Sequence, residues 1–122
     1  MLLAVTRIPA RTGFRLFAPT CDTALTLEKL ALSLTKVPHI VLFGAFFLIT
    51  LIQFDRVDRS SLAWSVAATA VISFVIEIEQ GATRTGNCRL TDVAPNLFGA
   101  LMVAVLIAVA VALRNRITAH AR

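Results

Sequence analysis

Three long apolar stretches, at about residues 37–54, 61–80 and 94–113, constrain this chain more than any other feature. Each is close to the ~20 residues that a helix needs to cross a ~30 Å hydrocarbon core at 1.5 Å per residue. An isolated span has no water to satisfy its backbone groups, so all three are expected to be helical. Composition agrees. Hydrophobic residues make up 57% of the chain and charged residues only 16%, against roughly a quarter charged in soluble domains. The expected fold is an all-α membrane protein: a small bundle of three transmembrane helices over residues 37–113. The first stretch is the shortest and calls for local bilayer thinning or snorkelling neighbours.

The flanking segments read differently. Residues 1–36 form an N-terminal basic and amphipathic segment. Arg7, Arg11, Arg15, Pro9 and Pro19 argue against a span over 1–21, and the apolar start at Met1–Val5 precedes the arginines, the reverse of a signal peptide. Asp22 to Lys36 reads as an interfacial helix, with Asp22 as its cap and Leu25, Leu27, Leu30, Leu32 and Leu34 against the interface. Pro38 then falls in the first turn of the next helix, where proline is tolerated. Residues 55–60 form a charged turn, 81–93 a longer polar loop and 114–122 a basic tail.

A net charge of +5 invites a nucleic-acid reading. The arginines, however, flank apolar runs instead of forming one basic face, so the expected partner is the lipid bilayer and no nucleic acid. Counted by side, Lys and Arg are nearly balanced and do not orient the bundle. Cys21 and Cys88 lack metal-ligand spacing. Both fall on the same side of the spans, which permits a disulfide, but free thiols are the expected state.

Helix phase and topology single out the polar residues. Ser65, Thr69, Ser73 and Glu77 recur every four residues in the second span, with Gln80 three further on. Glu79 points to the opposite face, where it would snorkel towards head groups. His39 begins the first span, Glu77 and Gln80 end the second, and Asp92 and Asn96 begin the third. Antiparallel neighbours bring all five to one membrane side. Asp92, Asn96 and Gly99 share a helix face, and Gly99 permits close helix approach. Intramembrane ionisable groups are costly to insert and usually face a bundle interior, so a functional cluster is preferred to structural pairing. The blander readings are small-residue packing for Ser65, Thr69 and Ser73, an interfacial role for His39 and a helix N-cap for Asp92.

Lys36-x-x-His39, an aromatic-rich helix, Glu77-x-x-Gln80, an arginine-bearing loop and Asp92-x-x-x-Asn96-x-x-Gly99-Ala100 together resemble the VanZ-like family over about residues 35–105. The chain departs from that pattern at Thr35, where the family carries an aspartate. Its loop arginines, Arg84 and Arg89, flank the family's expected place near Gly86, and residues 1–21 do not supply the family's further N-terminal span. The resemblance implies a multi-pass protein of the bacterial inner membrane, in a family named for a member linked to teicoplanin resistance. The family's four-span layout, with both termini cytoplasmic, would turn the polar cluster to the exterior or periplasm. It implies no reaction.

Three functions compete. The first is an envelope-associated accessory or binding protein that engages a phospholipid head group or a lipid-linked cell-wall precursor. Arg84 or Arg89 would hold a phosphate, and His39, Gln80 and Asn96 would supply hydrogen bonds beside Glu77 and Asp92. The second is a small membrane hydrolase or transferase with His39 as general base, oriented by Glu77 or Asp92. The third is a structural scaffold. No nucleophile stands out, so no catalytic residue is assigned. With a single histidine, His39, Glu77 and Asp92 make a weak ligand set, and neither metal nor cofactor is expected.

Overall fold

Pro38 divides the first helical stretch. It has no N–H to offer the carbonyl four residues back, at Leu34, and its ring would collide with that oxygen. Helix α1, Leu27–Leu34, ends there, and α2, Val37–Leu51, starts with Pro38 in its first turn. The two are bent by 71°. This computed structural model describes residues 20–83 and 86–122. The remaining elements are α3, Arg59–Thr83, a 3-10 turn at Leu90–Asp92 and α4, Val93–His120. The residue 1–21 reading therefore lies almost wholly outside the described residues.

Thr26, not Asp22, caps α1: its Oγ1 accepts from the Lys29 N–H at 3.3 Å. Asp22 instead receives the Ala24 N–H at 3.0 Å and the Lys29 ammonium at 2.7 Å. The Lys29 contact holds its carboxyl below the ordinary aspartate value. The Asp22 backbone pairs with the loop before α4, donating to the Cys88 carbonyl at 2.9 Å and accepting from the Leu90 N–H at 3.0 Å. The segment that sequence places at an interface is thus tied to the far loop by main-chain bonds.

The charged turn supplies the start of α3. Asp58 Oδ1 accepts from the Ser61 N–H at 2.8 Å while Ser61 Oγ accepts from the Asp58 N–H at 2.9 Å, a reciprocal capping box. The Ser61 N–H lowers the Asp58 pKa. Because the folded value lies below the unfolded one, the cap stabilises the helix at neutral pH and is lost as pH falls through the folded value. Asp58→Asn should keep the helix but flatten this acid-side loss in a pH titration of helix content. An unchanged titration would remove the charge from the account.

At 1.5 Å per residue α3 is about 37 Å long and α4 about 42 Å. Both are long and apolar enough to cross a membrane, whereas α2 reaches that length only if it and α1 count as one bent span. The basic tail is not a separate segment, because α4 carries Arg114 and Arg116 on its final turns and ends at His120.

Along α3 the polar groups lie inside, and large apolar groups cover the exterior of the bundle. Ser61, Ser65, Thr69, Ser73, Glu77 and Gly81, one every four residues, form the buried face of α3. Val41, Ile49, Trp64, Val71, Val105, Leu106 and Ile117 are exposed. A water-soluble bundle would reverse this arrangement, and lipid would solvate such an exterior. Helices α2, α3 and α4 all pack on one another, most extensively α2 on α4. Gly99 allows that contact: a Cβ there would land on the Ile40 carbonyl oxygen, and a Cβ on Gly44 would lie 3.5 Å from the Gly99 oxygen. Below this crossing, Phe47, Leu51 and Ala100 form an apolar core with Leu62, Val66 and Val103.

Candidate functional site

The opposite end of the bundle is polar. Lys36 sits in the break between α1 and α2, its N–H donating to the Ser33 carbonyl at 3.1 Å and its carbonyl accepting from the His39 N–H at 3.0 Å. Its ammonium reaches Asp92 Oδ2 at 2.6 Å. Ser33, on the last turn of α1, donates to Asp92 Oδ1 at 2.8 Å and lies equally close to the Thr91 carbonyl. Asp92 immediately precedes α4 but makes no side-chain cap bond, so the capping reading does not hold. The Asp92 side chain is only 11% exposed, and its charge is met by one ammonium and one hydroxyl.

One turn along α2, His39 Nδ1 lies 3.0 Å from Asn96 Oδ1, and Asn96 Nδ2 donates to Ser73 Oγ at 2.8 Å. This chain links all three long helices. Asn96 and Ser73 are fully buried and His39 half-buried. Ser73, read from sequence as a packing residue, is both small and a hydrogen-bond partner. The orienting group for His39 is Asn96, rather than Glu77 or Asp92 as the enzyme reading required.

Glu77 lies 2% exposed at the end of the α3 stripe. The backbone N–H of Arg89 donates to its Oε2 at 3.2 Å, closing the polar loop over the carboxyl, and Asp92, His39 and Lys36 are its electrostatic neighbours. Glu79 lies off the stripe, as helix phase requires. It does not snorkel: its carboxyl folds back on the Thr83 hydroxyl at 3.3 Å. Gln80 makes no hydrogen bond among the described residues and packs on Gly86, where a Cβ would meet its Oε1 at 3.0 Å. The Arg89 side chain is exposed at the rim. Arg84 lies outside the described residues.

The cysteines correct the free-thiol expectation, since Cys21 and Cys88 form a disulfide with their Cα atoms 4.7 Å apart. The bond lies beside the Asp22–Arg89 bridge. It anchors the segment before α1 onto the loop that covers Glu77.

Four of the expected residues, His39, Glu77, Asp92 and Asn96, come together at this end, and Arg89 joins them through its backbone N–H and not through the guanidinium expected to hold a phosphate. Lys36, Ser33, Ser73 and the disulfide were missed as members of the site. Among the described residues no group of three or more His, Cys, Asp or Glu side chains is placed to hold a metal ion.

Beside the cluster, under α1, an open cleft of about 610 Å³ is lined by Lys29, Ser33, Lys36, Arg89, Thr91 and Asp92 among others. Lys29 and Lys36 are already paired with carboxylates, which leaves the Arg89 guanidinium without an ion-pair partner among the described residues. Of the exposed leucines of α1, Leu32 lines this cleft.

Compared with models of protein families, with curated proteins and with solved structures, the chain matches none.

Proposed function

We propose that this is a VanZ-like bacterial inner-membrane protein, a bundle of three spans in which α1 and α2 form one bent crossing. Its polar end binds a phosphate-bearing lipid head group or a lipid-linked envelope precursor. The observation that carries the reading is the network of Lys36–Asp92, His39–Asn96–Ser73 and Glu77, set beside a cleft that holds the Arg89 guanidinium, without an ion-pair partner among the described residues, and the exposed Leu32. A polar recess next to an apolar surface is the chemistry of a lipid head group and its chains.

Two further observations support it. Structural disulfides persist in oxidising compartments, which fits this end of the bundle facing the exterior or periplasm. Among the described residues the hydrogen-bond neighbour of the His39 ring is an amide and not a hydroxyl nucleophile, which favours a binder over a hydrolase. A link to teicoplanin tolerance follows from the family resemblance alone.

Purified protein in detergent should bind phosphatidic acid in preference to diacylglycerol, which has the same chains and no phosphate. Arg89→Ala should weaken that binding roughly tenfold, the scale of one charge-assisted hydrogen bond. Equal binding of the two lipids would contradict the proposal.

A further inference from the structure

The cleft under α1 carries balanced charge. Lys29, Lys36 and Arg89 line it together with Asp22, Glu28 and Asp92, three cations against three carboxylates. Two pairs are closed, Lys29 with Asp22 at 2.7 Å and Lys36 with Asp92 at 2.6 Å. One charge of each sign is left over. The Glu28 side chain, in the first turn of α1, makes no hydrogen bond or ion pair among the described residues, and the Arg89 guanidinium has no ion-pair partner there. Both residues are exposed, one on α1 and the other on the loop before α4. Leu32 follows Glu28 by one helical turn and lines the same space. An acid in a first turn also suits the positive end of a helix. That role accounts for the charge of Glu28 but not for its place on the cleft wall.

We infer that this cleft takes a zwitterionic phospholipid head group, with Arg89 holding the phosphate and Glu28 the ammonium. A head group that is only anionic finds no net attraction in a balanced cleft and leaves Glu28 unmatched, whereas a zwitterion meets both remaining charges. With α2 crossing the bilayer, the 71° break turns α1 towards the membrane plane and keeps the cleft among the head groups. The inference rests on the head-group reading above. It adds a selectivity that the phosphate, common to all phospholipids, cannot supply. Ethanolamine provides the cation, and a glycerol head group, whose only charge is the phosphate, does not.

Full-length protein in a neutral detergent, its disulfide intact, should bind phosphatidylethanolamine over phosphatidylglycerol of matched chains about threefold to fivefold, the scale of one exposed ion pair. Glu28→Gln should erase that preference by weakening phosphatidylethanolamine alone, and Glu28→Lys should reverse it. Arg89→Ala should weaken both lipids alike. The ratio of two lipids on one preparation does not depend on how much of a variant is folded, so a purely structural role for Glu28 would leave it unchanged. A preference that survives Glu28→Gln would overturn the inference. Equal binding of the two lipids, both above diacylglycerol, would overturn it while leaving the head-group reading standing. Binding of neither above diacylglycerol would remove both.

Discussion

Gly99→Val should cost the protein its α2–α4 contact and with it the folded bundle. A Cβ at Gly99 points at the Ile40 carbonyl oxygen, which belongs to helix backbone and cannot rotate away as a side chain would. The two helices must separate, and the most extensive interface in the bundle separates with them. Overpacking of a dense contact costs about 1–3 kcal/mol where side chains can shift, and more where backbone must. Gly44→Ala is the internal control. Its Cβ would meet Val103 Cγ2 at 3.3 Å, a side-chain contact that needs a shift of only a few tenths of an ångström, so the loss should be about 1 kcal/mol. Unfolding in mixed micelles should rank Gly99→Val far below Gly44→Ala. Equal midpoints would mean that the helices do not cross as described.

Asp92→Ala should be the second severe substitution. It strips both the Lys36 ammonium and the Ser33 hydroxyl of their partner at a largely buried position. Removing one member of a buried pair costs about 3–5 kcal/mol when the other charge stays trapped. Lys36 keeps a 36% exposed side chain and can swing to solvent, so about 2–3 kcal/mol is the better figure here. The double variant Lys36→Met, Asp92→Leu should recover most of that loss, because an apolar pair of similar volume removes the unmatched charge. Membrane abundance and lipid binding then separate the roles of the network. A binding site predicts restored abundance without restored binding, whereas a scaffold predicts that the two recover together.

Much of this site was legible because it depends on helix phase and chain direction. The four-residue stripe ending at Glu77 and the starts of the helices at His39 and Asp92 are periodic or topological facts, and they brought the right side chains to one end. Gly99 was legible for the same reason. What sequence did not reveal depends on the 71° break at Pro38. That bend swings α1 over the loop before α4, and only then can Ser33 and Lys36 reach Asp92. The pairing of Cys21 with Cys88 spans 67 residues and depends on the same closure. The alternating leucines gave α1 its interfacial character but not its angle. Asp22 was misread because a residue near a helix start can serve the helix or a neighbouring chain. Here Lys29 and the Arg89 segment claim it.

We propose that the His39–Glu77–Asp92 end of the bundle, closed by the Cys21–Cys88 bond, faces away from the cytoplasm. Side-specific thiol labelling of intact cells tests it most directly, since these are the only cysteines in the chain. A membrane-impermeant maleimide should not react until an equally impermeant reductant is added, and should then label both residues. Labelling without reductant, or only after the cells are lysed, would contradict it.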